Sequence, residues 1–198
     1  NVCNNNSMSA ITSLPSGVGG GSLNLISTQT ASSSSTIDFT SGIDSTYKEY
    51  IFKFIDIHPA TDNVQFSFQA NVSGESGFNE TITSTFSTAF HNEADDNTGV
   101  TYAGSYDLAQ STSFQPLTYQ IGNDNDHSSN GTLHLFDPSN TTFVKHFIAR
   151  TSANTYHDYE RDSLVAGYFN TTSAIDEIQF KMSSGNIDSG TIKLYGVS

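Results

Sequence analysis

From Leu23 onward, apolar and polar residues alternate in short stretches separated by clusters of Gly, Pro, Asn, Asp and Ser. Ile178, Phe180 and Met182 share one face and Glu177, Gln179 and Lys181 the other, the period-2 pattern of a strand with one wet side. Ile192 and Leu194 alternate likewise with Thr191, Lys193 and Tyr195. Between them, Gly185 and Gly190 accept positive φ, and Asn186 and Asp188 can bond nearby backbone. The pattern predicts a closing β-hairpin whose loop is pinned from within. Residues 64–72 turn Val64, Phe66, Phe68, Ala70 and Val72 inward and Gln65, Ser67, Gln69 and Asn71 toward water. Residues 81–91 repeat the pattern with Ile82, Phe86 and Phe90, which predicts an antiparallel neighbour joined through residues 74–79. In residues 47–58, Tyr50, Phe52 and Phe54 form one face and Ile51, Lys53, Ile55 and Ile57 the other. A strand apolar on both sides belongs mid-sheet, covered on each face, and Pro59 ends it.

Shorter strand patterns occupy residues 23–29, 36–40, 131–136, 142–151 and 163–169, while Pro116 marks 114–122 as an edge or a bulge. Residues 91–110 are the least regular, and 123–130 form an acidic polar loop. No stretch carries a helical period. The expected fold is all-β: an antiparallel β-sandwich, with jelly roll as the topology, of about ten strands. Residues 1–22, NVCNNNSMSAITSLPSGVGGGS, lack alternation and end in a Gly-rich tract, so they read as an extended arm before one domain spanning 23–198.

Charge narrows the partners. Seven Lys and Arg against twenty Asp and Glu give a net charge of −13. Such a surface repels nucleic acid, whose binding depends on cations displacing counterions, and it repels anionic membranes too. No apolar run approaches the roughly 18 residues of a membrane span. Cys3 is the sole cysteine, so no intrachain disulfide exists and the fold holds by packing. The N-terminal residues lack the basic and apolar regions of a secretory leader, which suits synthesis in a cytoplasm.

Two stretches carry a resemblance. FKMSSGNIDSGTIKLYG (180–196) and STIDFTSGIDSTYKEYIFKFIDIHPATDNVQFSFQ (35–69) resemble small all-β virion structural proteins of tailed bacteriophages, particularly those infecting cyanobacteria and other marine bacteria. Those are head decorations, fibre heads and tail appendages. The resemblance implies a non-enzymatic protein of the virion surface, made in the host cytoplasm, with capsid decoration or cement as the expected role. Its expected partners are major capsid or tail proteins and further copies of itself. Met8, Ile11, Leu14 and Val18 are then the expected capsid-docking anchors of the arm. The alternative is a tail-fibre or appendage module that recognises host surface glycans.

Candidate chemistry is sparse. There is no G-x-S-x-G elbow, and the six histidines are scattered, so no catalytic residues and no cofactor are expected. Two acidic runs have oxygen donors suited to Ca²⁺: His91, Glu93, Asp95 and Asp96, and the consecutive Asn123, Asp124, Asn125, Asp126 and His127. Neither has EF-hand spacing, so Asp95, Asp96, Asp124 and Asp126 stand as weak candidates beside the simpler reading of solvated acidic turns. Tyr102, Tyr106, Tyr156 and Tyr159 lie in irregular segments near Asp107, Asp158 and Glu160, and could form a glycan-stacking platform.

Overall fold

The computed structural model describes residues 23–198; the predicted arm, with Met8, Ile11, Leu14 and Val18, lies outside the described residues. Twelve strands follow in order: β1 (Leu23–Ser34), β2 (Ile37–Phe39), β3 (Glu49–Pro59), β4 (Phe66–Val72), β5 (Ile82–Asn92), β6 (Thr98–Tyr102), β7 (Gln115–Pro116), β8 (Ser129–Phe136), β9 (Lys145–Asn154), β10 (Tyr159–Phe169), β11 (Ile175–Met182) and β12 (Ile187–Val197). All described strand pairs are antiparallel, and the described residues form no helix.

The strands form two sheets, β1-β12-β3-β8-β9-β10-β5-β6 and β2-β11-β4-β7. Within them β1 pairs with β12, β2 with β11, β3 with β8 and β4 with β7. These pairs are nested, as in a long two-stranded ribbon that coils over itself, and this is the jelly-roll topology. The remaining strands are two insertions in the ribbon. The β5–β6 hairpin enters between β4 and β7, and β9–β10 enters between β8 and β11. β10 pairs with β5 along its whole length, so the insertions extend the larger sheet as one slab.

The core lies where the two sheets face each other. Phe180 of β11 packs against Phe39, Phe52, Phe54, Phe66 and Phe68, with its ring centroid 5.3–6.3 Å from theirs. A second group, Phe68, Phe147 and Phe169, carries the core under β9 and β10. Lys145 is fully buried at the start of β9, where its Nζ donates to the carbonyls of Phe143 and Thr172, and burial lowers its pKa.

Several expectations change. The closing hairpin is absent: β11 lies in the smaller sheet and β12 in the larger, so residues 183–186 cross between layers. The crossing is pinned from outside. Ser183 N donates to Gln65 O, Asn186 Nδ2 to Ser33 O, and Ser33 Oγ to Asp188 Oδ1. β4 and β5 are likewise in different sheets, because each buries its Phe residues from opposite sides of one core. The expected wet face of β4 is dry. Gln69 is fully buried, its amide donating to the carbonyls of Glu80, Thr112 and Ser113, while Asn71 donates to Glu75 O and Glu177 Oε2. The connecting segments, too short of apolar residues to make strands, lie over β4 as its cover. β3 is central as expected, but a bulge at Ile55 and Asp56 (φ 53°) returns Ile57 to the core and leaves Ile55 exposed. Opposite it, a Cβ at Gly190 (φ 127°) would fall 2.8 Å from Asp56 O, so the bulge needs glycine there. Thr98–Tyr102, in the stretch expected to be irregular, pairs with β5 as an added strand, and the expected strand at 114–122 shortens to Gln115–Pro116 at the edge of the smaller sheet.

Phe180→Ala removes the ring shared by both sheets and is expected to cost about 3–5 kcal/mol in urea unfolding. A second expectation concerns acid. Hydrogen bonds from Thr46, Lys48 and Arg150 hold Asp44, Asp137 and Asp162, respectively, below the usual carboxylate range. Lowered folded pKa values mean that the unfolded chain takes up protons first, so this stability is present above the unfolded value of about 3.9 and is lost as pH falls through the folded ones. In Arg150→Met, the drop in stability from neutral pH to about pH 3, read by urea unfolding, should be smaller than in the parent.

Candidate functional site

The irregular segments meet at one end of the inserted slab. The β5–β6 turn and the β9–β10 turn touch through Glu93 N and Asp158 O, 3.1 Å apart. The loop from β7 to β8 joins them through Gly122 N to Asn154 O (3.2 Å) and Asn154 N to Ser128 O (3.2 Å). Backbone bonds thus fix three turns against one another, which gives their side chains defined positions.

Alternation along β10 turns Tyr159, Arg161 and Ser163 to the inner face, where Arg161 lies across from Phe90 of β5 and Ala153 of β9. Beyond the last Phe of the core, an arginine occupies this inner position. Its guanidinium carbon is 3.9 Å from the Tyr119 ring centroid, 4.5 Å from Phe90 and 5.5 Å from Tyr159. Its Nε is buried without a hydrogen-bond partner. The only other arginine, Arg150, is clamped by both oxygens of Asp162 on the outer face. The Tyr106 ring lies tilted against Tyr119 at 4.8 Å and against Phe86 at 5.2 Å, and burial pushes its phenol up to about 12. Asn97 Nδ2 donates to the Tyr159 hydroxyl at 2.9 Å.

Of the four platform tyrosines, Tyr106 and Tyr159 therefore join one aromatic group around Arg161. Tyr156 stands beside it, its ring 3.8 Å from that of His157. Tyr102 stands apart on the β6 edge, 57% exposed, its hydroxyl donating to Asp107. All three grouped rings are half-buried rather than laid open. Phe90, Tyr119 and Arg161 were missed in sequence because each alternates as an ordinary strand or loop residue.

The acidic candidates divide. Asp95 pairs with His91 (2.9 Å), and Asp96 accepts from Asn92 (2.6 Å), so both brace their own turn. Asp126 lines a polar depression of about 310 Å³ with Asp56, His58, Asn125, His127, Ser128 and Ser189. His58 Nδ1 donates to the His127 carbonyl there, at 2.7 Å. Asp124 alone enters a ligand-like cluster. With His127 and Asp158 it offers donor atoms all within 4.8 Å of one another, the one such group among the described residues. The Asp124 and His127 spacing was visible in the sequence; the approach of Asp158 from the β9–β10 turn was not.

No protein-family model, no curated protein and no solved structure matches this chain.

Arg161→Ala would strip the cation from three rings and is expected to destabilise the fold by about 1–2 kcal/mol in urea unfolding. Arg161→Lys should restore only part, because an ammonium cannot stack as a planar guanidinium does.

Proposed function

We propose that this chain is a non-enzymatic structural protein of the outer surface of a tailed-phage particle, acting as a capsid decoration or cement protein. The observation that carries the reading is the edge position of β1 in the larger sheet, where β12 is its partner among the described strands. β1 is twelve residues long, contains no charged residue and no proline, and has Leu25 56% and Leu23 41% exposed. Edge strands ordinarily carry charges, prolines or strong bulges that prevent pairing; β1 has one register shift, between Leu25 and Ser27, and its uncharged, proline-free stretch beyond it is a template for an added strand. Residues 1–22 lead directly into it, so an arm and a pairing edge would reach the same neighbour. The acidic turns with Glu93, Asp95, Asp96 and Asp158 lie toward the opposite side of that sheet. In this reading β1 pairs with a strand of the capsid lattice or of another copy, burial of Leu23 and Leu25 adds hydrophobic affinity, and the acidic end faces outward. The resemblance of residues 35–69 and 180–196 to tailed-phage virion proteins supports the same setting.

The second reading, a fibre-head or appendage module that recognises host glycans, draws on the grouping of Tyr106, Tyr156 and Tyr159 with Arg161. Jelly rolls serve both capsids and lectins, so the fold favours neither.

Cryo-electron microscopy of the particle with which the protein copurifies tests the first reading. Many copies at symmetric lattice positions with β1 against a neighbour are expected; a few copies at the tail, with the β9–β10 turn outward, support the second. Leu25→Lys combined with Thr28→Lys should weaken attachment to the particle at least about tenfold in co-sedimentation, since charge on an edge blocks pairing.

A further inference from the structure

We propose that Asp124, His127 and Asp158 bind a divalent transition-metal cation, Zn²⁺ or Mn²⁺, which ties the β7–β8 loop to the β9–β10 turn. The inference does not rest on a virion setting. His127 is the observation that goes beyond an acidic cluster. Its side chain is only 10% exposed, and neither ring nitrogen has a hydrogen-bond partner. Nδ1 is buried against Gly122, where there is no room for a Cβ. Nε2 points at Asp158 Oδ1 from 3.9 Å, too far for a hydrogen bond and close enough for both to reach one ion.

In the cation-free site Nε2 has no partner within hydrogen-bond distance in any protonation state. With the proton on Nδ1, the Nε2 lone pair faces a carboxylate. With the proton on Nε2, the Nδ1 lone pair is buried unpaired, and an imidazolium buries an unpaired Nδ1–H. A cation on Nε2 takes up that lone pair and both carboxylates together and leaves Nδ1 as the one unpaired atom. Bonds of about 2.0–2.2 Å require the donors to close slightly, which the two exposed aspartates can do by side-chain rotation.

The frame is already fixed. His127 N donates to Asp124 O (2.8 Å), Asp158 N donates to Thr155 O (3.0 Å), and the backbone bonds through Gly122 and Asn154 hold the two turns together. One imidazole with two carboxylates suits Zn²⁺ or Mn²⁺, the other positions going to water, whereas Ca²⁺ takes six to eight oxygens. The ion would lock the turns that carry Tyr156 and Tyr159, and so set the shape of this end of the molecule.

The test is calorimetric titration of the full chain, freed of metal with a chelator, with Mn²⁺, Zn²⁺ and Ca²⁺ separately. One Mn²⁺ or Zn²⁺ per chain is expected, with weaker Ca²⁺ binding and a rise in melting temperature at saturation. Asp158→Asn and Asp124→Asn should each weaken binding at least about tenfold. Asp158→Asn keeps a side chain suited to the positive φ of 59° at that position, so the fold should stand. Asp126→Asn and Cys3→Ser should leave affinity unchanged. No binding of either transition metal at millimolar concentration, or binding that survives Asp158→Asn and Asp124→Asn, or binding lost with Cys3→Ser, would overturn the proposal.

Discussion

The two sheets are held together by a contact that belongs to both: the Phe180 ring, set among Phe39 and Phe66 of the smaller sheet and Phe52 and Phe54 of the larger. Phe39, Phe52, Phe54 and Phe66 come from the consecutive strands β2, β3 and β4, and Phe180 comes from β11 near the other end of the chain. The ribbon must therefore be wound before any of them is buried, which explains why the fold rests on aromatic rings. A chain without disulfides and with few charged side chains needs large apolar area at each crossing, and Phe supplies it with a geometry that favours edge-on contacts. The dry face of β4 depends on the same winding, because Gln69 finds its three carbonyls only when the segments around Glu80 and Thr112 lie over the sheet.

Ribbon and insertions divide the labour. Residues 35–69 and 180–196 map onto β2, β3, β4, β11 and β12, all ribbon strands. Arg161, Tyr159, Phe90 and Asp158 are all on β5, β9–β10 or their turns. The ribbon carries the aromatic core between the sheets, and the insertions carry the arginine, its rings and the acidic turn. A broad slab made by pairing β5 with β10 gives those turns a rigid base, so their side chains are placed by backbone bonds rather than by packing in a core.

Most of the architecture was legible because strand alternation is local. Residues 175–182, 47–58 and 64–72 were assigned from period 2, and the edge position of 114–122 from Pro116. Partnership was not legible. The turn at 183–190 has every local mark of a hairpin, yet whether two strands pair or cross between layers is decided by which sheet has room for Ile187, and that depends on β3 and the whole core. The same reason hid the wet-looking face of β4: a Gln in alternation reads as solvated until a distant loop supplies acceptors. At the site, Tyr106, Tyr156, Tyr159 and Asp124 stood out by residue type in irregular segments, while Arg161 and Asp158 took their meaning only from neighbours brought in by β5 and β9.

Charge supplies the last constraint. At −13, two copies of this chain repel across most orientations, and the repulsion is strongest between the acidic turns, where Glu93, Asp95, Asp96, Asp124, Asp126, Asp158 and Glu160 are all exposed. Contacts between copies, or with another acidic protein, are therefore steered toward surfaces with little charge, and β1 is a twelve-residue uncharged strand at the edge of the larger sheet. The same crowding acts in the opposite sense on cations, since each carboxylate near Asp124 and Asp158 deepens the local potential and raises the occupancy of any ion held there. One charge distribution thus sorts the surface into an edge where protein can approach and an end where protein is repelled and metal is drawn in.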